Sequence, residues 1–174
     1  MYVDILILAS LLEQPRHGYE IKRQVQGIIG HLVNINNNQL YPALRRFEEM
    51  GAVTREVVRT SGKPDKHVYH MTDRGAELLQ DLLCDFPLEQ ARDDVGFQVR
   101  VGFFHLLEPA ARLAILATRE TALEEWQVYL EHALAQAREH GDRLRFAQRI
   151  IEFNQQSIQH ELDWIVQLRE EVFV

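Results

Sequence analysis

The succession of apolar and polar positions predicts the elements of this chain in order. Val3, Ile5, Leu6, Ile7, Leu8, Leu11 and Leu12 form the most apolar segment, ending at Gln14-Pro15. So short a run fits a helix or a strand, and the amphipathic segment that follows favours helix. His17-Gly18 reads as a turn. Tyr19, Ile21, Lys22, Val25 and Ile28-Ile29 then predict a second helix, stopped at Gly30. A third begins within Asn34–Asn38 and carries Leu40, Leu44, Phe47 and Met50 at spacings of 4, 3 and 3, with Gly51 closing it. Pro42 lies inside that run. It is harmless in a first turn capped near Gln39, and a source of a kink if Asn36 is the cap.

After Gly51 the period changes. Val53, Thr54, Val57, Val58 and Thr60 predict a strand, Ser61 to Lys66 a turn, and His67 to Met71 a second strand, so residues 52–72 are expected to form a hairpin. Thr72 is placed to cap a helix carrying Leu78, Leu79, Leu82 and Leu83. Three helices, a hairpin and another helix predict a winged helix-turn-helix. Beyond Pro87, Val95 to Leu107 is strongly apolar and expected to pack between the halves. Pro109–His140 and Asp142–Val172 then read as two long helices broken at Gly141, with near-heptad stripes. Leu116, Leu123, Trp126 and Leu130 on the first, and Ile151, Asn154, Ile158, Leu162, Ile165 and Leu168 on the second, are the candidate dimerisation seam of a coiled-coil-like pair. Asn154 in that seam is suited to fixing register. The expected fold is therefore mainly α with a small β-hairpin wing. A winged helix-turn-helix over residues 1–85 is followed by a long-helix dimerisation domain over 86–174.

Composition adds exclusions. With 174 residues, 46% apolar and 26% charged, the chain is ordinary globular protein, with no run long enough for a membrane span. It opens Met1-Tyr2-Val3-Asp4 with no basic region, and Cys84 is alone. No secretory signal and no intramolecular disulfide are expected, and the cytoplasm is the expected compartment. Chemistry-bearing motifs are missing. The only serines are Ser10, Ser61 and Ser157, no Gly-x-Ser-x-Gly or Gly-x-Gly-x-x-Gly occurs, and eight histidines are scattered without His-Glu-x-x-His or a Cys pair. His67 and His70, three apart on a strand, face opposite ways. No metal, no cofactor and no enzyme activity are expected.

The net charge of −7 argues against coating nucleic acid by bulk charge. Its distribution reverses that impression. Residues 1–80 hold ten cationic and nine acidic side chains, a net of +1, whereas residues 81–174 hold nine and 17, a net of −8.

Three motifs carry a resemblance. His17-Gly18-Tyr19-Glu20-Ile21-Lys22, then Leu40-Tyr41-Pro42-Ala43-Leu44-Arg45-Arg46-Phe47-Glu48, then Gly62-Lys63-Pro64 with Val68-Tyr69-His70-Met71-Thr72 and Gly75, occur in that order within residues 5–83. They resemble the second helix, recognition helix and wing of PadR-family transcriptional regulators. The long second half resembles the larger branch of that family, which includes virulence activators. The resemblance implies a homodimer formed through the C-terminal helices. It also implies a sequence-specific regulator, acting as a repressor on a pseudo-palindromic operator in double-stranded DNA, and a small aromatic or phenolic effector. Phe103, Trp126 and Trp164 are then candidates to line an effector pocket.

The candidate DNA-contacting residues are Tyr19 and Lys22 on the second helix, and Asn36, Asn37, Asn38, Gln39, Tyr41, Arg45 and Arg46 on the third. Lys63, Lys66 and His67 join them on the wing. The chain departs from the family where Asn36-Asn37-Asn38-Gln39 replaces the usual Ser-x-Gly-Thr. Asn still caps a helix, but the operator does not carry over. Asn and Gln pair bidentately with adenine, so Asn38 and Gln39 predict an adenine-containing half-site. The rival reading is a protein-interaction module whose winged helix and acidic helices scaffold an assembly. Four cations at Arg45, Arg46, Lys63 and Lys66 speak for DNA.

Overall fold

A computed structural model gives the architecture and describes residues 2–29, 35–58 and 66–173. Gly30, Asn34 and the turn residues 61–65, Lys63 among them, lie outside the described residues. The chain divides into two compact units, Met1–Asp85 with Asp94–Leu107, and Phe86–Asp93 with Glu108–Val174.

The first unit is built around α1 (Tyr2–Ala9), whose Ile5, Leu6, Ile7 and Leu8 are all fully buried. A helix apolar on every side must be enclosed. Around it pack α2 (Gly18–Ile29), α3 (Asn37–Glu49), α4 (Asp73–Cys84) and α5 (Asp94–Gly102). Each such side chain contributes about 1.5–3 kcal/mol through burial. The short apolar run is thus a helix, and it ends at Ala9 rather than at Gln14-Pro15. There the Ser10 hydroxyl donates to the Ile7 carbonyl, and Arg16 Nε donates to the Ser10 carbonyl. The stretch Val95–Leu107 falls in this unit, where α5 packs on α1.

The sheet has three antiparallel strands, β1 (Arg16–His17), β2 (Val53–Val58) and β3 (Lys66–Met71), in the order β1-β3-β2. Val53 pairs with Met71 and Val58 with Lys66, as a hairpin requires. His17, expected in a turn, instead pairs with Val68, and Gly18 opens α2 directly. A strand of two residues has no alternation to betray it.

Thr72 caps α4 as its position predicted. Its hydroxyl oxygen accepts from the Gly75 N–H, and its own proton goes to the carbonyl of Gly51 or Ala52. Just upstream, Gly51 at φ +70° closes α3, with its N–H on the Glu48 carbonyl and that of Ala52 on the Phe47 carbonyl. This is the two-bond arrangement that left-handed glycine makes at a helix end. The ends of α3, β2 and α4 therefore meet at one peptide. A Cβ on Gly75 would lie 2.1 Å from the Ala52 carbonyl oxygen.

Arg100 on α5 is only 1% exposed, and its guanidinium donates to the carbonyls of Leu82, Leu83 and Asp85 as well as Gly96. A buried charge is tolerated only when its hydrogen-bonding capacity is filled. Here it also answers the unpaired carbonyls at the end of α4.

The second unit is a helical hairpin of α6 (Pro109–Glu139) and α7 (Arg145–Glu171), joined by a 3₁₀ turn at Gly141–Leu144 with Gly141 at φ +55°. Arg119, 2% exposed, makes two hydrogen bonds to the Glu161 carboxylate and one to the Ala91 carbonyl. From α6 it thereby fastens both α7 and the segment 86–93 that precedes α5. Arg169 forms a second paired contact with Glu120, and the guanidinium holds that carboxyl below its ordinary range. Of the expected dimer seam, Leu116, Leu123, Leu130, Ile158 and Ile165 are buried within the single chain. Ile151, Asn154, Leu162 and Leu168 are half-buried, and Trp126 is exposed. No helix among the described residues is long and apolar enough to cross a membrane.

Two glycines make a paired test. Gly75→Ala drives a methyl into the Ala52 carbonyl and is expected to destabilise the protein by about 1–3 kcal/mol in urea unfolding. Gly27, within α2 and with nothing within 4 Å of a built Cβ, behaves oppositely. Gly27→Ala is expected to stabilise by about 0.5–1 kcal/mol, the ordinary helical advantage of alanine.

Candidate nucleic-acid interface

The candidate surface is the outward side of α3 and what flanks it. The helix opens with a reciprocal cap. The Asn36 side chain accepts from the Gln39 N–H, and the Gln39 side chain accepts from the Asn36 N–H. Asn36 is therefore the cap, and Pro42 falls in the second turn, where it offers no N–H to the Asn38 carbonyl. Leu40, Ala43, Leu44 and Phe47 are buried at 1–3% exposure, fixing which side turns inward.

The opposite side carries a polar ridge. Asn37, Asn38, Tyr41, Pro42, Arg45, Arg46 and Glu49 line one open groove of about 490 Å³. Tyr41, Arg45, Glu48 and Glu49 also line a second, of about 600 Å³, closed on its far side by Arg55, His67 and Tyr69 of the hairpin. Residues 55 and 57 of β2 oppose 69 and 67 of β3, so these side chains share one face of the sheet. Burial pushes the Tyr69 phenol upward.

The two neighbouring arginines of α3 differ. Arg46 is held by Asp4 of α1 at 2.5 Å, with its guanidinium 5.2 Å from the centre of the Phe47 ring. This is neither the free cation nor the Glu48/Glu49 partner that sequence suggests. Arg45 is exposed and has no ion-pair partner among the described residues. Glu48 instead pairs with Arg55 at 3.3 Å.

Tyr41 joins the two motif helices. It is 46% exposed, yet its ring lies so close to α2 that a Cβ on Gly18 would be 3.0 Å from Cε1 and 3.1 Å from the hydroxyl. The glycine of the His-Gly-Tyr motif therefore leaves room for the tyrosine of the Leu-Tyr-Pro motif. Beside it, Tyr19 is 58% exposed and stacks on His17 with 5.6 Å between centres. Lys22 is half-buried without an ion-pair partner among the described residues. Arg23, one helical turn from Tyr19, is exposed in the same way. The His17 N–H donates to Glu20 Oε2, and its ring Nδ1 shares a hydrogen bond with the His67 carbonyl. Lys66 is exposed on the sheet face away from His67, and His70 bonds Glu56 at 3.1 Å.

Arg23 and Arg55 were not among the residues singled out by sequence. The signals were there. Arg23 follows Tyr19 at i+4, and Arg55 alternates on the strand entering the wing. The candidate effector residues are not gathered into either groove. Phe103 is buried in the first unit, whereas the exposed Trp126 and half-buried Trp164 belong to the second. Among the described residues no group of histidine, cysteine and acidic side chains is arranged to hold a metal.

Residues 7–81 match the transcriptional regulator PadR-like family. A probable transcriptional regulator of Mycobacterium tuberculosis is 36% identical over 90 residues, covering 52% of this chain and 47% of that protein. The negative transcriptional regulator PadR of Bacillus subtilis is 29% identical over 77 residues, covering 44% of this chain and 42% of its own. The matched region thus spans less than half the length of either relative. The crystal structure of Bacillus subtilis PadR in complex with operator DNA is similar over 99% of both chains, at 17% identity and a TM-score of 0.45.

The cap of α2 yields a pH prediction. The His17 N–H, and after it the Tyr19 hydroxyl, hold the Glu20 carboxyl below its ordinary value. A carboxyl depressed in the folded state contributes stability above the ordinary glutamate range and loses it as pH falls through the folded value. Glu20→Gln is therefore expected to lower stability by about 0.5–1 kcal/mol at neutral pH. The gap between mutant and wild type should narrow in thermal unfolding as pH falls below the ordinary glutamate range. A gap constant from neutral to acid would contradict the assignment.

Proposed function

We propose that this chain, which carries a domain of the PadR-like family of transcriptional regulators over residues 7–81, binds duplex DNA through α3 as a homodimer and represses transcription from a pseudo-palindromic operator. The observation that carries the reading is the division of labour on α3. Its apolar side is fully engaged in the core, while its polar side forms an open ridge that ends beside the hairpin. An α-helix with short polar side chains near its N-terminus suits a major groove, and a hairpin beside it suits the flanking backbone. Repression is the action that the name of the Bacillus subtilis relative states for that protein. Such a regulator works in the cytoplasm.

Charge explains why a dimer is needed. Lys22, Arg23, Arg45 and Lys66 have no ion-pair partner among the described residues, and four cations give a weak hold on phosphate. Two copies supply eight, and about 6–10 phosphate contacts produce steep salt dependence. A two-fold axis would set the recognition helices about 34 Å apart. On the helical unit, Phe146, Ile150 and Phe153 recur along α7 at 81%, 63% and 66% exposure. Trp126 and Tyr129 stack on α6 with centres 5.2 Å apart. Apolar side chains so exposed suit a second copy better than water.

Mobility shift against the fragment upstream of its own gene, at two salt concentrations, tests the reading. Specific binding that weakens at least tenfold between about 50 and 200 mM salt is expected. Absence of binding to any upstream fragment would favour the scaffold alternative. Phe153→Glu is expected to convert a dimer to a monomer in analytical ultracentrifugation and to weaken DNA binding in parallel. A Phe153→Glu dimer as stable as wild type would remove α7 from the interface.

A further inference from the structure

We infer that Asn38 and Arg45 form the base-reading pair of α3, Asn38 taking adenine and Arg45 guanine in each half-site, and that Arg46 takes no part. The inference rests on the DNA-binding reading and deepens it. It follows by elimination among the polar residues that the helix presents.

Asn36 and Gln39 satisfy each other across the helix start, so their carbonyl oxygens are already engaged. Bidentate recognition of adenine needs both the amide oxygen and the amide nitrogen of one side chain. Asn37 and Asn38 retain both, with no side-chain partner among the described residues, and both line the groove. The helical repeat separates these two. Asn38 and Arg45 are seven residues apart, within about 20° of two full turns, so they stand on one line of the helix. Asn37 is about 80° from Arg45 on the same repeat. Tyr41 and Pro42 fill the turn between and belong to the same groove.

The arginines divide by their partners. Arg46 directs a guanidinium nitrogen at Asp4 and lies over the Phe47 ring. Using it on a base would break an ion pair and uncover an aromatic face. Arg45 has its whole fork available, and the fork matches the two acceptors guanine shows in the major groove. Two helical turns are about 10.5 Å along the axis, close to three base-pair steps of roughly 3.4 Å. The half-site should therefore hold an adenine and a guanine about two to four base pairs apart.

The test is selection from a duplex library with a randomised core, using the full-length protein. Wild type is expected to enrich sites with that adenine and guanine in both halves. Asn38→Ala should lose the adenine preference and keep the guanine. Arg45→Lys, which keeps the charge but not the fork, should lose the guanine and keep the adenine. Each preferred base should fall about tenfold relative to its best competitor. Arg46→Ala should return the wild-type site. Unfolding midpoints like that of wild type show that the variants are folded. Selection of the unchanged wild-type site by both Asn38→Ala and Arg45→Lys would overturn the assignment while leaving DNA binding intact. So would loss of the guanine in Arg46→Ala. Failure of wild type itself to enrich any site would overturn the DNA-binding reading and this assignment with it.

Discussion

Burial of one side of α3 is the constraint on which the rest of the first unit depends. Leu40, Ala43, Leu44 and Phe47 fix the rotation of that helix about its own axis. Once the rotation is set, Asn38, Tyr41 and Arg45 have no choice but to face outward. Everything around the helix then serves its position. α1 supplies fully buried apolar side chains for it to lean on and the Asp4 carboxylate that holds Arg46. Gly18 gives Tyr41 room to lie against α2. Gly51 turns the chain sharply into β2, so that the hairpin stands beside the polar ridge rather than across it.

A second theme is arginine used as a fastener. Arg100 closes the carbonyl end of α4 from α5, and Arg119 on α6 binds α7 and the segment 86–93 before α5. Buried guanidinium groups without partners would cost several kcal/mol each, so these positions specify the arrangement as much as they stabilise it. They also bear on charge. Of the arginines in the acidic half, Arg119 and Arg169 are committed to internal carboxylates. On the winged unit Lys22, Arg23, Arg45 and Lys66 have no ion-pair partner among the described residues, and the net charges are +1 over residues 1–80 and −8 over residues 81–174.

Much of the fold was legible because local signals and burial agree. The spacing of Leu40, Leu44 and Phe47, the left-handed requirement at Gly51, the Thr72 cap and the break at Gly141 each act within a few residues, and each appears where sequence places it. What could not be read depends on distant partners. β1 exists because β3 offers a free edge to Arg16-His17, and two residues leave no pattern. By sequence Arg46 is equivalent to Arg45, but Asp4, 42 positions away, claims it. Asn36 and Gln39 looked like readers of bases beside Asn37 and Asn38, although the spacing of a reciprocal cap was present. In the long helices, a heptad stripe reports burial without naming its partner. Leu116, Leu123 and Ile165 are buried in the single chain, whereas Phe146, Ile150 and Phe153, off that stripe, remain exposed.

In the proposed complex α3 presents Asn38, Tyr41 and Arg45 to duplex DNA while Arg46 stays with Asp4. Nuclear magnetic resonance of the side-chain amides and guanidinium Nε–H groups tests it most directly, with the protein titrated by a duplex that it binds specifically. The predicted result is large shifts for the Asn38 amide and the Arg45 Nε–H, an Arg46 Nε–H that barely moves, and an acidic helical unit left unperturbed. Shifts confined to α6 and α7, or an Arg46 signal that moves as far as that of Arg45, would contradict it.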